Sequence, residues 1–294
     1  MNVIMILRIV LGLFALVSLG FFVKDLLAHK EDFTKEKAVP LAIIGCITNL
    51  LDTWGIGSYA TTQAGFKFTK SSPDETIPGT LNVGDTFPVT LEALLFFSFV
   101  DIDPLTLVLM LAGSVVGALV GAGIVCKWNV KYVRIGLGVG LMILAVVMAC
   151  RNAGVGPFGM AGTALGLTGI KLVIGVVVNF FLGALMMIGV GLYAPCLALV
   201  SALGMEVGTA FPIMMGSCAF LMNAACFKFI KEGKYDRKAA FYLAVFGCIG
   251  VFIAYKVACM FSLKTLTYII CVVMVYTSIM FFRDAKIGRA RVGK

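Results

Sequence analysis

Gly55-Ile56-Gly57-Ser58-Tyr59-Ala60 recurs as Gly189-Val190-Gly191-Leu192-Tyr193-Ala194, and this pair of hexapeptides decides how the chain is read. A second pair follows in the same order: Val83-Gly84-Asp85-Thr86-Phe87-Pro88-Val89 and Val207-Gly208-Thr209-Ala210-Phe211-Pro212-Ile213. The ends correspond too, because Lys131 to Arg151 brackets an apolar span much as Lys264 to Arg283 does. The first copy is longer between its motifs, where it carries the polar loop Thr69 to Thr76. Ordered matches of this kind imply an internal duplication, with one copy at 38–151 and the other at 168–283. A separate span occupies 1–30, and a basic tail occupies 284–294.

Both motifs sit in apolar surroundings. The 294 residues are 61% hydrophobic and 13% charged, with a mean hydropathy of +1.04. A soluble domain carries about 25% charged residues, so the composition excludes one. Roughly 20 apolar residues cross a hydrocarbon core. Plain spans of that kind lie near 3–27, 78–100, 104–126, 130–150, 206–229, 239–260 and 264–282. Two other apolar segments, 38–70 and 171–205, are too long for one helix and are interrupted at the motif glycines. The N-terminal stretch runs past Phe21-Phe22-Val23 without a small-x-small cleavage pattern, so it reads as a retained span. The net charge of +9 comes from Lys and Arg in short loops and the tail. That distribution encodes membrane topology, and no nucleic-acid partner is expected. The nine cysteines show no CxxC or Cys/His ligand spacing, so neither a metal nor another cofactor is expected.

Charge also decides how the two broken segments run. If each dips in, turns at its glycines and leaves on its entry side, 19 of the 24 basic residues face the cytoplasm. Arg8, Arg151, Lys171, Lys256 and Lys264 are then the exceptions. If the first segment crossed fully, the acidic turn Asp101-Ile102-Asp103 would face the cytoplasm instead. The positive-inside rule favours the hairpins, with the N-terminus outside and the C-terminus cytoplasmic in the cytoplasmic (inner) membrane. Each copy then holds one hairpin and three crossings, an odd number that turns the second copy upside down. The expected fold is an all-α polytopic membrane protein. It has two inverted repeats, each a glycine-broken hairpin plus three transmembrane helices, and an extra N-terminal span. Inverted repeats with paired broken helices are the plan of secondary transporters, whose sites lie at the breaks.

The breaks supply candidate ligands. Gly55, Gly57, Gly189 and Gly191 let the backbone leave helical geometry and approach a substrate. A helix restarting after such a break points its N–H groups at the centre and suits a small anion. With no Lys or Arg near the span centres, hydroxyls and amides would hold it. The candidates are Asn49, Thr53, Ser58, Tyr59, Thr61 and Thr62, then Tyr193, Ser201, Thr209 and Ser217, with Cys196 after Pro195 as a contact for a soft sulfur substrate. An aspartate at a helix centre costs about 2.5–3.5 kcal/mol in lipid, so acidic residues there are functional candidates. Asp52, Asp85, Glu92 and Glu206 are the candidates for coupling to a proton or sodium ion. Asn82, Asp85 and Glu92 fall on one helical face.

The glycine-broken motifs of both halves, the Gly-x-x-x-Phe-Pro-like element and the basic loop Lys231 to Lys238 resemble the TauE/SafE sulfite exporter family over residues 38–283. The resemblance implies a permease for sulfite, sulfonates or related sulfur-containing anions, without an ATPase domain of its own. Many members carry a richer glycine run at the hairpin turn, where this chain has Ser58-Tyr59 and Leu192-Tyr193. The functional expectation is a secondary transporter of a small anion working by alternating access, with no enzymatic activity. An ion channel and an intramembrane enzyme are the alternatives. The single histidine, His29, lies in a loop, which removes Ser–His catalysis and His-rich metal sites.

Overall fold

The computed structural model describes residues 3–33, 36–73, 76–97, 101–121, 130–153, 162–186, 191–258 and 263–291. The described residues form helices and no strand, apart from an isolated parallel bridge between Ala164 and Met205. In chain order the helices are α1 (Val3–Ala28), α2 (Ala38–Thr53), α3 (Ser58–Thr69), α4 (Ile77–Phe96), α5 (Pro104–Val116) and α6 (Val130–Ala153). They continue as α7 (Gly169–Met186), α8 (Tyr193–Ala202), α9 (Ala210–Glu232), α10 (Arg237–Ala258) and α11 (Leu263–Arg291). Among the described residues, four helices are long and apolar enough to cross a membrane: α1, α7, α9 and the Arg237–Val257 stretch of α10. The helix α4 is not among them, because Asn82, Asp85, Thr86, Thr90 and Glu92 interrupt its apolar sequence.

The first long apolar segment is broken where its glycines lie, and the break follows local rules. Gly55 takes φ 89° and ends α2 in a Schellman turn, with Ile56 N–H donating to Leu51 C=O (3.2 Å) and Gly55 N–H to Asp52 C=O (2.7 Å). Gly57, at φ 87°, then re-aims the chain so that α3 starts at Ser58. The Asp52 side chain spans the break and accepts the Ser58 N–H at 2.7 Å, capping the new helix. In the second segment Gly189 lies outside the described residues. Gly191 is described, but it is not among the left-handed glycines. Pro195 sits in the first turn of α8, where its missing N–H leaves no hydrogen bond unmade. The tail expected beyond 283 continues α11 to Arg291, as Lys and Arg are good helix formers and favour a helix C-terminus.

The chain forms two compact units, Met1–Phe99 with Met215–Cys259, and Val100–Met214 with Met260–Lys294. Each draws on both of the sequence copies, so the units interleave along the chain. In the first unit α2 packs along α10, α4 packs on the same helix, and α1 packs on α4. The α2–α10 approach is close enough to need glycine. A Cβ on Gly250 would lie 2.1 Å from the Cys46 carbonyl oxygen, and one on Gly45 2.9 Å from that of Tyr242. Small residues let helix backbones meet in this way where lipid supplies no hydrophobic driving force. Leu41, Ile44, Phe66, Leu81, Ala239 and Leu243 fill the space among α2, α3, α4 and α10. The outer face of α1, with Leu13, Leu16, Val17 and Phe21 exposed, is suited to acyl chains.

In the second unit α6 packs along α11 and α5 along α7. Beyond Val116, α5 widens into a π-type turn, Gly117–Gly121. A Cβ on Gly117 would lie 1.9 Å from the Phe180 carbonyl oxygen, and one on Gly183 2.1 Å from that of Ser114. Asn179 Nδ2 donates to Met110 C=O at 2.7 Å in the same crossing. The acidic turn before α5 has a structural role: Asp103 caps the helix, accepting from Thr106 N–H at 2.8 Å.

Candidate functional site

The first unit gathers most of the polar candidates around its break. On α2, Asn49, Asp52 and Thr53 are spaced i, i+3, i+4, and all are buried. On α4, Asn82, Asp85 and Glu92 are buried as well, Asp85 and Glu92 with no exposed surface. Asp85 therefore lies mid-helix, away from either solvated end. Two hydrogen bonds join the helices: Asn49 Nδ2 to Asp85 Oδ1 at 3.1 Å, and Thr53 Oγ1 to Glu92 Oε1 at 2.8 Å. The start of α3 completes the group. The Ser58 hydroxyl lies beside both the Asp85 and Asp52 carboxyls, and the Tyr59 hydroxyl lies beside the Asn82 amide. Asp52 and Asp85 are close enough to interact electrostatically. Trp54 holds the break to α10 by donating Nε1–H to Ala254 C=O at 3.3 Å.

Three buried acceptors in this group have no partner: Asn49 Oδ1, Asn82 Oδ1 and Asp85 Oδ2. The Asn49 amide is oriented by its neighbours, since its nitrogen donates both to Asp85 Oδ1 and to Gly45 C=O at 3.0 Å. More than nine in ten buried polar groups are paired. Three orphans of one type, on facing helices, therefore mark a place arranged to receive donors or positive charge. Thr62 and Thr61 serve the hairpin itself: Thr62 Oγ1 donates to Thr48 Oγ1 across its arms at 2.9 Å, and Thr61 Oγ1 donates to Ser58 C=O at 2.9 Å. Ser217 is buried in the same unit.

The remaining candidates belong to the second unit. Tyr193, Cys196, Ser201 and Thr209 are buried there. Ser201 donates to Leu197 C=O at 2.9 Å, and Thr209 Oγ1 donates to Glu206 C=O at 2.6 Å, both local bonds of their own segments. Glu206 is half-buried, and its backbone N–H donates to Ala164 C=O at 2.9 Å. Among the described residues, no group of three or more His, Cys, Asp or Glu side chains converges as a metal site.

A second polar line escaped the sequence reading. Ser18 Oγ donates to Asn223 Oδ1 (2.7 Å), Asn223 Nδ2 to Thr90 Oγ1 (2.9 Å), Thr90 to Thr86 C=O (2.7 Å) and Thr86 to Asn82 C=O (2.5 Å). This ladder ties α1, α4 and α9 together and ends at the backbone of Asn82. Its signal was present as Asn82, Thr86 and Thr90 at i, i+4, i+8, a polar stripe in an otherwise apolar helix.

The break makes a direct prediction. A Cβ at Gly57 would meet nothing within 4 Å, so Gly57→Ala tests backbone strain alone. A left-handed φ costs an L-residue roughly 1–2 kcal/mol. The variant is expected to fold and to melt a few degrees lower in a detergent thermal-shift assay; an unchanged midpoint would mean that the break relaxes without that conformation. Comparison with known proteins gives no matching family model, no matching curated protein and no matching solved structure.

Proposed function

We propose that this chain is a secondary transporter of a small anion, built from two inverted repeats and working by alternating access. The observation that carries the reading is a helix crossing made twice. The repeat that matches Gly55 with Gly189 also matches Cys46 with Phe180, and the one that matches Lys131 with Lys264 matches Gly117 with Gly250. In the first unit Gly250 meets the Cys46 carbonyl, and in the second Gly117 meets the Phe180 carbonyl. The same register pairs Asn49 with Gly247 in one unit and Gly183 with Ser114 in the other. A hairpin arm of each copy thus packs, through equivalent residues, on a crossing helix of the other copy. Equivalent packing within each unit supports the duplication, and duplicated chains with broken helices are the plan of secondary transporters.

The substrate class rests on the resemblance to the TauE/SafE sulfite exporter family, which favours sulfite, a sulfonate or another sulfur-containing anion. Coupling to a cation gives the buried carboxylates a role, because ionisable residues at membrane depth are costly and mark ion and substrate paths. The distribution of Lys and Arg supports an outside N-terminus and a cytoplasmic C-terminus.

The test is uptake into proteoliposomes with radiolabelled sulfite, thiosulfate and a small sulfonate. Saturable flux of at least one anion is expected, reduced by Tyr59→Ala and by Tyr193→Ala. Flux of none of them, or conductance without saturation in a planar bilayer, would refute the transporter reading.

A further inference from the structure

We propose that Asn49, Asn82 and Asp85 of the first unit bind a sodium ion between α2 and α4. The argument starts from the three partnerless oxygens Asn49 Oδ1, Asn82 Oδ1 and Asp85 Oδ2. All are acceptors, all belong to side chains at most 3% exposed, and the first and last are tied together by the 3.1 Å Asn49–Asp85 hydrogen bond. Asn82 lies on the Asp85 face of α4, one turn earlier.

The possible occupants differ in how many of these atoms they satisfy. A proton on Asp85 Oδ2 makes one donor, which can reach one amide oxygen and leaves the other orphaned. One water donates two hydrogen bonds and again leaves an acceptor unmet. A hard cation accepts electron pairs from all three oxygens at once, and carboxylate and carbonyl oxygens are its preferred ligands. The Ser58 hydroxyl, beside Asp85, supplies a further oxygen.

Charge count sets the valence. The Asp52 carboxylate is already engaged by the first N–H of α3, at the positive end of that helix. Glu92 is held by Thr53 farther along α4. Asp85 is the one of these three carboxylates with a partnerless buried oxygen, so it supplies the charge of the site, and a monovalent ion balances that single carboxylate. Sodium, the smaller of the two abundant monovalent cations, has the higher charge density and is held more tightly by carboxylate and amide oxygens. Because Asp52 caps α3 across the break and the Ser58 hydroxyl lies beside Asp85, an ion here would also stiffen the break. Its service as the coupling ion rests on the transport reading above, whereas its binding does not.

The experiment uses the full chain purified in detergent, with no anion substrate present. Binding of 22Na+ is measured at fixed pH and ionic strength, with choline as the replacement cation. Saturable binding is expected, displaced by unlabelled Na+ and far less by equal K+. Asp85→Asn and Asn82→Ala should each weaken it by more than about 10-fold, the loss that follows removal of even an outer-shell partner of a metal ligand. Asn82→Ala carries the test should Asp85→Asn fail to fold. No saturable binding, equal displacement by K+, or affinity unchanged in both variants would overturn the proposal. Sodium binding alongside sodium-independent anion uptake would overturn the coupling role alone. Binding without uptake of any anion would refute transport and leave the ion site standing.

Discussion

Gly250→Ala is expected to cost the protein its folded first unit. The added Cβ would sit 2.1 Å from the Cys46 carbonyl oxygen and 3.1 Å from the Leu50 nitrogen, so backbone, and not a pliable side-chain tip, would have to move. Overpacking a close-fitting contact costs typically 1–3 kcal/mol and occasionally more. Here α2 and α10 would separate along a crossing that also positions Asn49, and a loss at the upper end of that range, about 3 kcal/mol, follows. Gly117→Ala should do the same to the second unit, since its Cβ would lie 1.9 Å from the Phe180 carbonyl. Gly140→Ala is the control: nothing lies within 4 Å of that position, and replacing a mid-helix glycine there should stabilise α6 by up to about 1 kcal/mol. Monodisperse yield on size exclusion, with a thermal midpoint for what elutes, reads all three. Equal behaviour of Gly250→Ala and Gly140→Ala would show that the α2–α10 contact is looser than described.

The second large effect separates two neighbouring carboxylates by role. Asp85→Asn is expected to fold and to lower cation-driven anion uptake by more than about tenfold, because it removes the one buried carboxylate oxygen among the described residues that has no partner. Asp52 holds the break itself. Asp52→Ala deletes the acceptor for the Ser58 N–H and should destabilise the protein by about 1–2 kcal/mol, the ordinary cost of an N-cap. Asp52→Asn keeps an oxygen in that place and should recover most of the loss. A midpoint no higher for Asp52→Asn than for Asp52→Ala would assign the Asp52 effect to its charge instead of its cap. The comparison needs only thermal melts beside the uptake assay.

The repeated Gly-x-Gly motif made the first break legible from sequence, since a Schellman turn at Gly55 and a positive φ at Gly57 are conformations that glycine alone adopts cheaply. The buried polar face of α4 was legible for the same kind of reason: Asn82, Asp85 and Glu92 have nowhere to hide in an apolar sequence. Their partners were not. Asn49 reaches Asp85, and Thr53 reaches Glu92, only because α2 and α4 face each other across the break, a tertiary fact that spacing within one helix does not encode. Gly117 and Gly250 were invisible for a different reason. A glycine in an apolar helix reads the same whether it meets a neighbour's backbone or acyl chains, as Gly250 and Gly140 demonstrate. The Ser18–Asn223 bond joins residues from distant helices, and neither residue carries a local signal of the other.

The interleaving of the two units has a consequence for how the chain is made. The first unit closes only when Met215–Cys259 joins Met1–Phe99. At about 5–20 residues per second, the glycine face of α2 waits roughly 10–40 s for α10 to leave the ribosome. During that interval Gly45 has no Tyr242 backbone to meet, and Asn49 lacks the Gly247 contact that covers it in the finished protein. A hairpin carrying Asp52, followed by a helix carrying Asp85 and Glu92, must therefore be sheltered by the insertion machinery or linger in the aqueous interface until its partner arrives. Biogenesis, not final stability, is where a slow codon or a truncation between the two halves of that unit would do its damage.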